Sequence, residues 1–466
     1  MRAEPGSFRD PDSRVFLTED GGVFRALSFA GWEDWRALKA SSAFAELTRE
    51  GRLIGTSEAH GVRQATVPAT CVGVLRHELV PFVSYPYEWT FGMLRDAALL
   101  HLDILDRCLG ESLILKDSSP YNIQWRGSDP VHIDVGSFER LREDEPWVGY
   151  RQFCELFLYP LMLQAYKGVP FQPWLRGALE GLAPGEARAL MSLRDLLRGG
   201  VLTHVVLHAR LERRYAASTG REVRGELARA GFAPEIIRAN VRRLRKLVGR
   251  LRWNPDSTAW TGYRQDNSYS EADASAKQRF VAIAAARRSR ELAWDLGCND
   301  GAYARILAGH VRTVLAIDAD HATVDRLYRS LAEEGQRRVL PLVIDLCSPS
   351  PDCGWRGRER GSLLRRGRPD LTLCLALVHH LAITRNVPLV EIVAWLAELG
   401  SPLVVEFPTP EDPMVQRLLA GKREGVHGDY SREEFERRLL EAFELERHEQ
   451  TPSGHRVLYE AHPRAA

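Results

Sequence analysis

The sequence predicts an α/β protein in two parts, a C-terminal doubly wound parallel sheet and an N-terminal α+β region. Three observations carry this. First, the apolar runs ELAWDLG, TVLAID, VLPLVID, DLTLCLAL and PLVVEF fall between 291 and 407, each of strand length. Helical segments separate the first four and another precedes the fifth, which is the β-α-β rhythm of a doubly wound sheet. Second, residues 14–28, RVFLTEDGGVFRALS, place two β-rich runs around a turn signal, and WTFGMLRDAALLHLDILDRCL at 89–109 is apolar at helical spacing and stopped by Gly110. Third, 466 residues exceed one ordinary core, and the polar stretch 253–275 interrupts both periodicities.

The elements follow in order. Helical periodicity over 31–50 succeeds the first hairpin, and a second β-like stretch, ATVPATCVGVLRHELVPFVSYP, runs to about 86. After the helix at 89–109 comes a hairpin-like unit, LILKDSSPYNIQW to PVHIDVGSFE, and then mostly helical sequence to about 252. The expected division is an N-terminal α+β domain at 1–252, a linker and lid segment at 253–277, and a doubly wound domain at 278–466.

Composition narrows the class. A 44% hydrophobic and 27% charged chain has the balance of a globular protein. A net charge of +1 gives no global field for coating nucleic acid. The seven cysteines form no C-x-x-C pair, which argues against a disulfide framework and for a reducing, cytoplasmic setting. The polar N-terminus lacks a signal-peptide core, and no run is long and apolar enough to span a membrane, so no membrane partner is expected. No Cys/His pair has zinc spacing, so no metal is expected.

The strongest chemical pattern is WDLGCNDG at 294–301, a strand end opening into a helix. Gly297 and Gly301 let the backbone turn sharply beside a ligand. Asp295 can accept hydrogen bonds from a ligand ammonium. Asp318 ends the next strand, where an acid takes the hydroxyls of a ribose in doubly wound folds. Asp345 and Leu346 end the third, within reach of an adenine amino group. This series resembles the class I S-adenosylmethionine-dependent methyltransferases, which have a Rossmann-like sheet. The resemblance implies that Asp295, Gly297, Cys298, Asn299 and Gly301 form their first motif, Asp318 their ribose acid, and Asp345 with Leu346 their adenine segment. It implies S-adenosylmethionine as cofactor and DLTLCLALVHHLAI as the strand facing the methyl group. A nicotinamide dehydrogenase would show G-x-G-x-x-G instead. The segments SYPYEW, LKDSSPYN, WVGYRQFC, LALVHHLAITRNVPL and VVEFPTPEDPMVQRLL are similar to those of bacterial methyltransferases related to the nodulation protein NoeA, over nearly the whole chain.

In the N-terminal region, Asp117, Asn122 and Asp134 have the types and spacing of a protein-kinase catalytic loop, in which the first Asp accepts a hydroxyl proton and the other two hold Mg²⁺. The departures are Leu-Lys-Asp in place of His-Arg-Asp, no glycine-rich phosphate loop, and Arg25 where a strand Lys is wanted. The expectation is a kinase-like fold with catalysis lost or redirected. A working phosphotransferase, or an Asp and Asn that merely cap a turn, are the alternatives.

Other features carry bland readings beside sharp ones. His379, His380 and Glu406 follow the fourth and fifth strands and are the candidate acceptor bases; otherwise they pack or cap. The arginine-rich segment 354–368 is a candidate rim for an anionic acceptor, or a solvated loop. The basic helix 237–253 is expected to pack its apolar face on the core. Trp260, Tyr263, Tyr269 and Lys277 either close over the cofactor or staple the linker. The reading is a methyltransferase acting on an unidentified acceptor, a small molecule or glycan precursor in preference to nucleic acid, with an N-terminal domain that selects the acceptor. A phosphotransferase and a non-enzymatic nucleoside-binding module are its rivals. The oligomeric state is open.

Overall fold

A computed structural model of the chain describes residues 2–59, 70–142, 145–215, 233–254, 270–423 and 425–464. It divides into two units. One comprises 1–125, 130–254 and 352–360; the other comprises 126–129, 255–351 and 361–466.

In the first unit, β2 (Ser13–Leu17) and β3 (Val23–Leu27) pair antiparallel. Thr18 N donates to Gly22 O at 2.9 Å, and Gly21 at φ +82° supplies the left-handed turn residue. With β1 (Arg2–Ala3), β4 (Thr56–Glu58) and β5 (Gly73–His77) they form a sheet of order β1-β2-β3-β5-β4. The β-like stretch expected to continue to 86 ends at His77. Pro81 and Pro86 cannot donate to a ladder, and the chain turns through Pro86–Glu88 instead.

The helix Phe91–Leu109 starts where Thr90 accepts from Met93 N and is buried along most of its length. Strands β6 (Leu113–Leu115) and β9 (Phe138–Arg140) pair, as do β7 (Ile123–Arg126) and β8 (Asp129–His132). The helix Pro234–Arg250 buries Ile237, Val241, Leu244 and Val248 against Phe91–Leu109, the face that its periodicity predicts. Arg238 and Arg242 reach Asp106, and Arg245 reaches Asp103.

The second unit is built on a seven-stranded sheet of order β12-β11-β10-β13-β14-β16-β15. Strands β10 (Arg290–Leu296), β11 (Val311–Asp318), β12 (Val339–Val343), β13 (Leu371–Cys374) and β14 (Leu403–Pro408) are parallel. The chain leaves β10 to one side through β11 and β12, then crosses to the other side at β13. The crevice at the carboxyl ends of β10 and β13 is therefore the topological switch point. Phe280, Val281, Ala293, Val314, Leu373 and Val404 belong to the core that the sheet shares with its helices.

The sheet also contains an antiparallel pair that the apolar runs do not predict. Strand β16 (Arg456–Pro463) lies between β14 and β15 (Phe443–Gln450), antiparallel to both. FELERHEQ is an edge strand with an exposed, charged surface, so it carries no apolar signal. Among the described residues, no helix is long and apolar enough to cross a membrane.

Candidate functional site

The loop leaving β10 places Gly297 at φ +71°, Asn299 at +46° and Gly301 at +75°. Glycine and asparagine are the residues that take this conformation at least cost. Gly297 N and Cys298 N donate to Ile317 O at 2.8 and 3.0 Å, which fastens the loop to β11. Gly301 then caps the helix Ala302–Ala308. A Cβ on Gly301 would lie 2.6 Å from Leu327 Cδ1, and one on Gly297 3.3 Å from Leu377 Cδ1. Cys298 is buried beneath the loop, and burial pushes its thiol well up.

Asp318 ends β11 against this loop. Its Oδ2 accepts from Asn299 N at 3.1 Å and its Oδ1 from Asp320 N at 2.9 Å. Burial holds its carboxyl above the ordinary range. Each oxygen retains a lone pair beyond those backbone bonds. Asp295 is 2% exposed, and its Oδ2 has no partner among the described residues. Burial raises its carboxyl to about 7, opposed by the charge of Lys277 and reinforced by that of Asp318.

Asp345 lies two residues beyond the end of β12 and Leu346 follows it in a turn. The Asp345 side chain is 41% exposed, with Oδ1 accepting from Cys347 N at 2.9 Å and Oδ2 from Arg385 Nη2 at 2.6 Å. Arg385 carries no motif and is legible only from the structure.

On the side of β13 and β14, His379 is fully buried and neither ring nitrogen has a hydrogen-bond partner among the described residues. Its ring centroid is 4.0 Å from that of His380. Burial pushes His379 well below the usual imidazole range, reinforced by His380, Arg456 and Lys277. Burial, with the charge of Arg456, lowers His380 to about 4. Both rings are neutral at neutral pH, and their protonated forms are disfavoured, which weakens either as a base.

Glu406 departs from the expectation of an acceptor base. It is fully buried, and both oxygens are engaged by cations: Lys277 Nζ at 2.5 Å on Oε2 and Arg456 Nη1 at 3.2 Å on Oε1. Arg456 Nε in turn reaches Asp412 Oδ2 at 2.7 Å, and Asp412 caps the helix Pro413–Ala420. Lys277 also stands 4.8 Å from the Tyr303 ring centroid. Burial pulls the Lys277 ammonium down, and Glu406 opposes the shift. Sequence reasoning missed Arg456, Asp412 and Tyr303 altogether. Trp260, Tyr263 and Tyr269 lie outside the described residues.

In the first unit, Asn122 Nδ2 donates to Asp117 Oδ2 at 2.9 Å. Asp134 Oδ1 is held by Arg25 Nη2 at 2.7 Å and by Gly136 N at 3.1 Å. Arg25 Nη1 donates to Ser13 Oγ at 2.9 Å, and that hydroxyl donates to Asp10 Oδ2 at 2.6 Å. Burial raises Asp117. Burial also acts upward on Asp134, but Arg25 and His132 bring it below the ordinary range. Among the described residues, no group of His, Cys, Asp and Glu side chains is arranged to hold a metal. In the arginine-rich segment, Glu359 pairs with Arg9 at 2.8 Å and Arg360 stands 4.2 Å over the Tyr121 ring.

No family model matches the chain. Among solved structures it is similar to the N-methyltransferase NodS from Bradyrhizobium japonicum WM9 in complex with S-adenosyl-L-homocysteine. That match has 13% identity and a TM-score of 0.32, and covers 45% of this chain and 94% of that one. It is also similar to the magnesium protoporphyrin IX methyltransferase ChlM from Synechocystis PCC 6803 with the same molecule bound. There the identity is 18% and the TM-score 0.32, over 45% of this chain and 95% of that one. Nodulation protein NoeA of Rhizobium meliloti (strain 1021) is 33% identical over 457 residues, spanning 97% of this chain and 94% of that protein. With that identity along nearly the full length of both sequences, the chain belongs to the NoeA family.

Proposed function

We propose that the protein is an S-adenosylmethionine-dependent methyltransferase whose second unit binds the cofactor. The observation that carries this reading is the Asp318 carboxylate, fixed by Asn299 N and Asp320 N at the end of β11, facing a loop with three left-handed residues. The donor set fits the cofactor. Asp295 Oδ2 is a buried acceptor without a partner among the described residues, suited to an α-ammonium. The glycines at 297 and 301 keep the backbone approachable. Asp318 retains acceptor capacity for ribose hydroxyls, and Asp345 with Leu346 stands at the next strand end for the adenine. Bound there, the sulfonium supplies an activated methyl group.

The chain's own residues bind, orient and exclude water. Asp295 gives up its proton as it pairs with the ammonium, so cofactor capture is tied to that carboxyl's ionisation. The Lys277–Glu406–Arg456–Asp412 chain fixes the carboxyl end of β14 beside the acceptor side. His379 and His380, both neutral, can accept a hydrogen bond from an acceptor hydroxyl or amine. On this reading rate comes chiefly from alignment of acceptor and methyl group. The acceptor is a small molecule or glycan precursor, and the kinase-like first unit selects it without phosphoryl transfer. The Arg25–Asp134 ion pair favours this over the phosphotransferase reading, because it engages the carboxylate that would hold Mg²⁺.

The test is transfer of label from methyl-labelled S-adenosylmethionine to a metabolite extract of a deletion strain. Labelled product with the wild-type protein and none with Asp318→Ala supports the reading. Tight cofactor binding with no transfer to any fraction would favour the nucleoside-binding module.

A further inference from the structure

The helix Pro234–Arg250 carries two sets of cations. Arg238, Arg242 and Arg245 are paired with carboxylates of Phe91–Leu109. Arg243, Lys246 and Arg250 form no such pair among the described residues. They lie at i, i+3 and i+7, one helix face, and line a cavity of about 340 Å³ with Tyr166, Gly199, Leu247 and Leu251. Among the described residues no carboxylate lines it. Tyr166 Oη donates to Gly199 O at 2.9 Å, and the Arg198 guanidinium lies 5.0 Å from the Tyr166 ring centroid. Asp195, the acid of that segment, is already engaged by Lys167 at 2.8 Å and Arg198 at 3.3 Å. The cavity is thus a cationic rim over an apolar floor.

Beside it the chain exposes large apolar side chains. Leu193 is 78% exposed and Leu197 is 93% exposed, and they stand on the segment that leads into Gly199. Leucines so open to water near cations that no described carboxylate pairs are the combination that an anionic lipid surface rewards. The cations meet phosphate headgroups, and the leucines enter the acyl boundary. A nucleic acid would use the cations and gain nothing from the leucines.

We propose that this face of the first unit docks on an anionic phospholipid membrane, with Arg243, Lys246 and Arg250 taking headgroup phosphates and Leu193 and Leu197 inserting at the interface. The contact is peripheral. It goes beyond the methyltransferase reading and does not depend on it.

The experiment is sedimentation of the full chain with phosphatidylcholine vesicles, with and without phosphatidylglycerol. Glycerol 3-phosphate and a single-stranded oligonucleotide are titrated separately. The expected result is sedimentation only with phosphatidylglycerol, weakened by salt. The triple variant Arg243→Gln, Lys246→Gln, Arg250→Gln should lose on the order of a hundredfold in partitioning. The double variant Leu193→Ser, Leu197→Ser should lose on the order of tenfold. These positions are exposed, and unchanged melting temperatures will establish that the variants fold. Equal sedimentation with both vesicle types would overturn the proposal. So would a leucine variant that sediments like wild type, or binding of glycerol 3-phosphate or the oligonucleotide without vesicle binding.

Discussion

Lys277 Nζ lies 2.5 Å from Glu406 Oε2, and the two residues, 129 positions apart, are both almost completely buried. With Arg456 and Asp412 they form a chain of alternating charge in which each buried ion is compensated by its neighbour. Removing one member leaves its neighbours uncompensated, at a cost of about 3–5 kcal/mol. Glu406→Gln should therefore lower the unfolding free energy by about that amount in urea titration. Methyl transfer should fall only in step with the folded fraction. A stable Glu406→Gln protein with kcat reduced by two orders of magnitude or more would instead restore Glu406 as the acceptor base.

Asp295 predicts a pH dependence. Its carboxyl is raised to about 7 in the folded chain and sits near 3.9 when unfolded. Between those values the folded state binds more protons than the unfolded, so stability falls as pH rises through the window. Asp295→Asn should flatten that slope and melt higher than wild type at pH 8, while losing cofactor affinity. An unchanged slope would mean that Asp295 is ionised throughout.

Gly301 tests the loop. At φ +75°, with Leu327 Cδ1 2.6 Å from the position of a Cβ, a β-branched residue meets both backbone strain and a clash. Gly301→Val should weaken S-adenosylhomocysteine binding at least about tenfold and lower the melting temperature. A folded variant with wild-type affinity would remove the loop from the cofactor site.

The Arg25–Asp134 pair predicts that the first unit shows no Mg-dependent ATP binding in the micromolar range. Arg25 occupies one oxygen of Asp134 at 2.7 Å, and the sequence of this region carries no G-x-G-x-x-G motif to cover phosphates. Asp134→Asn should lower the melting temperature and leave methyl transfer intact in the folded protein. ATP hydrolysis that Asp134→Asn abolishes would contradict this and promote the phosphotransferase reading.

How much of this was legible in the sequence depends on distance along the chain. The five parallel strands are apolar runs, and the WDLGCNDG loop with Asp318 is a local motif at fixed spacing, so both can be read directly. Strand β15 cannot, because its charged residues face water at a sheet edge. Asp345 is readable as a strand-end acid, but its partner Arg385 is 40 residues away. Glu406 looks like a reactive carboxylate until Lys277 and Arg456, from two other elements, are seen on either side of it. Arg25 reads as a poor substitute for lysine, and only the fold brings it to Asp134. For Asp345, Glu406 and Arg25 the missed information is a tertiary ion pair.

The most direct test of the central claim is isothermal titration of the purified chain with S-adenosylmethionine, beside Asp318→Ala. Wild type should bind one equivalent. Asp318→Ala should bind tenfold to hundredfold more weakly, about 1.5–3 kcal/mol for leaving ribose hydroxyls without their charged acceptor. No binding by the wild type, or equal affinity in the folded variant, would contradict the account.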